Sequence, residues 1–171
     1  MFDNNILIKG KHATQLKFLC EKTKLLGEGN AKNGAGVFKR FVDVLLVAPL
    51  VGVYNNSRIK EDKSVDDRAN ILAEQIIKEK NPLEFGYRLV MLTDNSLGLN
   101  ADQKIDLIFR GGGNPELYMD YVRGGIEYLY EYFTDGASTK EDYYEKIISL
   151  VNEIQLSANE NYEEVLNKIT K

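Results

Sequence analysis

The sequence predicts a mainly α-helical protein, a multi-helix bundle with one short β-strand at its amino terminus. Three observations point there. Apolar residues recur at three- and four-residue spacing through most of the chain. From residue 64 onward, segment after segment opens with a Ser, Thr or Asn set before a carboxylate or a proline, the signature of helix starts. Only Ile6-Leu7-Ile8-Lys9, bounded by polar residues and Gly10, reads as a strand. A length of 171 residues suffices for a real core, and 43% hydrophobic with 28% charged residues excludes wholesale disorder and a fibrous repeat.

Behind the strand, Leu16, Leu19 and Cys20 recur at helical spacing with Phe18 nearby, which predicts a helix from Lys11 to Leu26 with Cys20 packed in the core. A glycine-rich connection follows at 27–36. Val37 to Val53 is apolar almost all round, with Phe38, Phe41, Val42, Leu45, Leu46 and Leu50, and belongs at the centre of the core, kinked at Pro49. The polar residues 55–63 mark the expected organisational break. Ser64-Val65-Asp66-Asp67, Ser138-Thr139-Lys140-Glu141 and Ser157-Ala158-Asn159-Glu160 resemble capping boxes. Asn81-Pro82 and Asn114-Pro115 set a capping side chain before a first-turn proline, and Asn100 precedes Ala101. These signals predict helices near 65–80, 82–93, 101–110, 115–133, 139–156 and 158–170. Gly124-Gly125 in the middle of the helix at 115–133 costs about 1 kcal/mol per residue against alanine, so close packing or a kink is expected to offset it. The segments are then a basic strand-helix-helix part at 1–60, an acidic helical body at 61–156 packed with it as one domain, and a carboxy-terminal amphipathic helix at 157–171.

The net charge of −4 divides along the chain. Residues 1–60 carry ten Lys/Arg against four Asp/Glu, and residues 61–171 carry twelve against twenty-two. The basic part is a candidate surface for double-stranded DNA or an acidic partner. Its order of strand, helix, connection and helix is that of the ribbon-helix-helix fold, in which paired strands enter the major groove. Alternation turns Ile6 and Ile8 inward and Asn5, Leu7 and Lys9 outward. Asn5, Lys9, Lys11, Lys17, Lys39 and Arg40 are the candidate DNA contacts, with a strength that falls steeply with salt.

Catalytic chemistry finds little to work with. One cysteine, Cys20, and one histidine, His12, exclude a disulfide framework, a zinc finger and a Ser-His-Asp set, and His12 is expected on the surface or in the basic patch. Gly111-Gly112-Gly113 before Asn114-Pro115 lacks the preceding strand of a phosphate loop, and Glu116 and Asp120 would repel an anion there. Asp66-Asp67, Glu131 with Asp135, and Glu141-Asp142 sit at predicted helix ends or faces, where carboxylates serve the dipole. Neither enzyme activity nor a metal or cofactor is expected. No secretory leader is recognisable, and the apolar stretch from Phe41 to Tyr54 is interrupted by Asp43 and Pro49, too short for a bilayer. A cytoplasmic protein with no membrane partner is expected.

The run Val37-Phe38-Lys39-Arg40-Phe41-Val42-Asp43-Val44-Leu45-Leu46-Val47-Ala48, with Gly52 and Arg58 beyond it, resembles a stretch of small Dnd-associated proteins, those found with bacterial DNA phosphorothioation and related anti-phage systems. Leu89-Val90-Met91-Leu92-Thr93 and Tyr121-Val122-Arg123-Gly124-Gly125-Ile126-Glu127-Tyr128-Leu129 are similar to that family's later helices, so the likeness spans roughly residues 5–155 in order. This chain departs at Arg123, in the connection at 27–36 and in the tail from Ser157. The resemblance implies a small accessory protein of a defence island and no catalytic residues.

Two function classes follow. One is a non-catalytic subunit that binds a larger defence-system protein, with Tyr162, Val165, Leu166 and Ile169 forming an apolar stripe on the tail helix that either docks on the partner or folds back onto the protein's own core. The other is a DNA-binding regulator or targeting subunit built on the amino-terminal segment. A homo-oligomer is expected in either case.

Overall fold

The computed structural model describes residues 1–20, 35–110, 112–137 and 139–169, with Lys140 and residues 158–169 described by their backbone. The element order is β1 (Ile6–Lys9), α1 (Lys11–Cys20), α2 (Phe41–Tyr54), β2 (Arg68–Ile71), α3 (Ala73–Lys78), α4 (Lys80–Thr93), α5 (Ala101–Phe109), α6 (Pro115–Thr134) and α7 (Lys140–Ile169). The protein is mainly helical, as its sequence predicts. Two compact units are distinguished, Met1–Tyr132 and Phe133–Lys171.

In the first unit β1 pairs antiparallel with β2 of the same chain, setting Ile6 opposite Ile71 and Ile8 opposite Ala69. All four are buried, and the intervening residues face outward as alternation requires. The second strand corrects the helix expected at 65–80. Asp62, instead of leaving Ser64 to cap a helix, accepts the Ser64 amide at 3.1 Å, its hydroxyl at 2.8 Å and the Lys11 amide at 2.9 Å. Asp67 accepts the Thr14 hydroxyl at 2.8 Å and pairs with Lys17. Both carboxylates are thus committed to α1, and the chain between them runs into a strand. The helix that remains, α3, takes its capping acceptor from across the sheet, where Asn5 Oδ1 receives the Ala73 amide at 2.7 Å.

Elsewhere the local signals hold with shifts of a few residues. Asn100 and Gln103 form a reciprocal cap on α5, and Asn114 Oδ1 accepts the Leu117 amide at 3.0 Å to open α6. Asn81-Pro82 falls inside the first turn of α4, because α3 and α4 are separated by Glu79 alone. α2 begins at Phe41, four residues later than its apolar run, where Asp43 accepts the Arg40 amide at 2.9 Å, and Pro49 lies inside it.

Helix α2 crosses α6 at near backbone contact. A Cβ on Gly125 would lie 1.8 Å from the Ala48 carbonyl oxygen, and one on Gly52 would lie 2.2 Å from that of Tyr121. A Cβ on Gly124 would meet the Ser57 carbonyl at 2.0 Å. Close packing therefore offsets the cost of the glycine pair. On the two helices Val42, Leu45, Ala48, Val122 and Ile126 are all buried. The segment 55–63, expected as a break, is stitched to α6 instead. The Ile59 amide reaches the Asp120 carbonyl at 3.0 Å, and Arg123 Nε donates to the Ile59 carbonyl at 2.8 Å.

In the second unit Phe133 packs against Tyr143, their ring centroids 6.5 Å apart. Thr139 and Asp142 exchange backbone-to-side-chain hydrogen bonds at 2.7 and 3.2 Å, opening α7 one residue beyond the expected Ser138, which lies outside the described residues. α7 then runs unbroken to Ile169. Ser157 begins no new helix, because residues 154–160 are all good enough helix formers to continue one.

Candidate functional site

The candidate DNA contacts are spread over β1, α1 and the entry to α2, and most of them already meet a carboxylate. Lys9 pairs with Glu61 at 3.5 Å, Lys11 with Glu127 at 2.8 Å, Lys17 with Asp67, and Arg40 with Asp43 and with Glu79 at 2.9 Å. Asn5 spends its side-chain oxygen on α3. Lys39 is exposed. Further along, Arg58 lies 3.7 Å from Asp94, and Lys60 binds Asp120 at 2.6 Å. Among the described residues the charge division seen along the sequence is largely neutralised, because acids of the second part fold onto bases of the first.

His12 is a further correction. It is fully buried, not a surface residue, with Nε2 3.3 Å from Glu127 Oε2, because the first turn of α1 packs against α6. Burial pushes the imidazole below its ordinary value, against the opposing pull of Glu127. Cys20, expected in the core, is half-buried at the end of α1.

A polar concavity lies beside the strap formed by 55–63. One cavity of about 450 Å³ is lined by Arg58, Lys60, Ser96, Asn114, Glu116 and Asp120. Another, of about 380 Å³, shares Arg58 and Ser96 and adds Asn56, Asp94 and Tyr121. Burial raises the Asp94 carboxyl, but hydrogen bonds from Ser96 and from the Tyr121 hydroxyl at 2.5 Å, with the Arg58 charge, hold it below the usual range. Burial and the bond to Asp94 push the Tyr121 phenol up to about 12. A carboxylate stabilised in this way is a weak base, and a phenol raised in this way is a weak acid. Asp120 is equally committed, to Lys60 and to Arg123 at 2.6 Å each. These bonds join the strap, α4 and α6. Among the described residues no cluster of His, Cys, Asp and Glu could hold a metal ion, and no described helix is long and apolar enough to cross a membrane.

A different surface stands out on α4 and α5. Leu83, Gly86 and Val90 bury one side of α4, while Phe85, Leu89 and Leu92, at i, i+4 and i+7, stay exposed on the opposite side. Phe85 is 66% exposed and Phe109, with Ile105 on the outer face of α5, is 62% exposed. Arg88, beside the α4 row, stacks 5.3 Å from the Phe109 ring centroid and links the two rows. Lys104 fixes the pairing of the helices from beneath, donating to the Leu92 carbonyl at 2.9 Å and to Asn95 at 2.8 Å.

Sequence reasoning read α4 only as a helix. Its double apolar periodicity was available at 83, 86 and 90 and at 85, 89 and 92, but which of the two rows is covered is a tertiary matter. For the docking candidates Tyr162, Val165, Leu166 and Ile169 the backbone lies on α7, and their side chains are outside those described. No protein-family model, curated protein or solved structure matches the chain.

Proposed function

We propose that this protein is a non-catalytic accessory subunit of a bacterial anti-phage defence system that acts by docking on a larger defence enzyme through the α4–α5 face. The defence context comes from the likeness of the 37–58, 89–93 and 121–129 segments to Dnd-associated proteins. The observation that carries the binding role is a helix apolar on two opposite sides, one of them left in solvent. Two aromatic anchors on that side, Phe85 and Phe109, each gain about 1–2 kcal/mol when their exposed two-thirds is covered, and aromatic residues of this kind dominate interface energies. The cleft at Arg58 and Asp94 supports the same reading, since its polar groups are spent on one another.

The test is affinity capture of the intact protein from its native host, with partners identified by mass spectrometry, beside the variant Phe85→Ser/Phe109→Ser. Recovery of a nuclease or ATPase of a defence system, reduced at least ~30-fold by the variant at ~2 kcal/mol for one lost anchor, is the expected result. Equal recovery by both proteins refutes the docking face, and capture of no defence protein refutes the function. The DNA-binding alternative, using Asn5, Lys9, Lys11, Lys17, Lys39 and Arg40, has less support, because four of those six side chains are already paired with carboxylates.

A further inference from the structure

We infer that α7 is a self-association element, pairing with α7 of a second copy of this chain. The helix is continuous from Lys140 to Ile169, so apolar positions that the sequence divides at Ser157 belong to one surface. Along it, Tyr144, Ile148, Val151, Gln155, Ala158, Tyr162, Val165 and Ile169 follow alternating steps of four and three, a strict seven-residue repeat held over 26 residues. In the part whose side chains are described, Tyr144, Ile148 and Val151 are exposed, at 53%, 60% and 47%.

Charge placement selects the occupant. α7 is acidic, with seven Asp/Glu against three Lys, which at first sight opposes pairing with itself. Of the positions that flank the repeat, only Glu145 and Lys168, at its two ends, are charged; Ile147, Asn152, Ile154, Asn159, Asn161 and Leu166 are not. Glu153, Glu160, Glu163 and Glu164 fall on the outer positions, where two paired helices keep them apart. A strongly charged partner would find complementary charge only at the ends of the seam, and an identical helix meets no repulsion along the uncharged stretch from Ile147 to Leu166. Gln155 is the one amide on the seam, a residue type that fixes register and oligomer state at a cost in strength. The 26-residue seam spans ~39 Å and a helix is ~10 Å wide, so two such faces cover about 780 Å² in total, the size of a weak, reversible contact.

The experiment is sedimentation equilibrium of the full chain over a dilution series. The expected result is reversible association to twice the 19.4 kDa chain mass or a higher whole multiple. Ile148→Asp/Val151→Asp weakens it at least ~100-fold, taking tenfold for each apolar side chain removed from the seam. Gln155→Leu strengthens association or raises its stoichiometry, a gain that misfolding does not produce. A chain that stays monomeric at all concentrations overturns the inference, as does association that survives the double Asp variant or weakens with Gln155→Leu. Phe85→Ser/Phe109→Ser, which tests the α4–α5 face, leaves the self-association unchanged, so the two readings fail separately.

Discussion

Replacing Gly125 by alanine tests the crossing on which the first unit is built. The added Cβ would stand 1.8 Å from the Ala48 carbonyl oxygen, 2.5 Å from its carbon and 2.8 Å from Ala48 Cα. All three are backbone atoms of α2, so no side chain can rotate away. Restoring an ordinary contact of ~3.4 Å needs a displacement of about 1.6 Å between two helices. Taken as separation over a patch on the order of 10 by 10 Å, about one helix diameter each way, this opens ~160 Å³. At ~24 cal/mol per Å³ the void costs about 4 kcal/mol, and the better helix propensity of alanine returns about 1 kcal/mol. The expected net loss is about 3 kcal/mol. Gly86→Ala is the control. That glycine is also inside a helix, but a Cβ there meets nothing within 4 Å, so the variant gains up to about 1 kcal/mol. Urea unfolding followed by far-ultraviolet circular dichroism measures both. A Gly125→Ala protein as stable as the parent, or the same sign for the two variants, would refute the close crossing as the reason for the glycine pair.

Three further outcomes follow from the charged groups. His12 is held below its ordinary value by burial, with Glu127, Lys11 and Arg123 the charged groups acting on it, so the unfolded chain binds the extra proton first. Stability therefore falls as pH drops below about 6.5, and His12→Gln should flatten that limb in a pH series of urea midpoints. A second loss comes lower, from 3.8 toward about 2, where Asp62 and Asp67 release the α1 contacts that depress them. A pH-independent midpoint between 7 and 5 would contradict the His12 environment. Asp120→Ala strands the guanidinium of Arg123, whose side chain is 10% exposed, and should cost about 3 kcal/mol in the same assay; a change below ~0.5 kcal/mol would show that the ion pair carries no weight.

Much of the fold is legible locally because its signals are local. Asn100 and Asn114 cap the helices they precede, and Ile6 and Ile8 point inward as alternation dictates. Gly124-Gly125 announces a close approach because only that offsets its helical cost. The strand β2 is not legible in this way. Arg68-Ala69-Asn70-Ile71 is too short to outweigh the helical reading around it, and it becomes a strand by pairing with β1 some sixty residues earlier. The α3 cap shows the same dependence, since its acceptor, Asn5, is supplied from the far end of the sequence.

By itself, then, the sequence determined a helical class, an apolar α2, of which Val42, Leu45 and Ala48 are buried while Val47 and Leu50 are exposed, most helix starts, and a composition with one His and one Cys. Those follow from periodicity, capping and composition, which neighbouring residues set. Tertiary structure alone decided where the charges went. Lys11, Lys17, Arg40 and Lys60 form a basic run on paper and a set of ion pairs in the folded chain, with Glu127, Asp67, Glu79 and Asp120 as partners. It also decided which apolar row of α4 met the core and which was left in solvent. The reason is common to both: a charge or an apolar face is answered by whatever folding brings within a few ångströms, and chain order does not specify that neighbour.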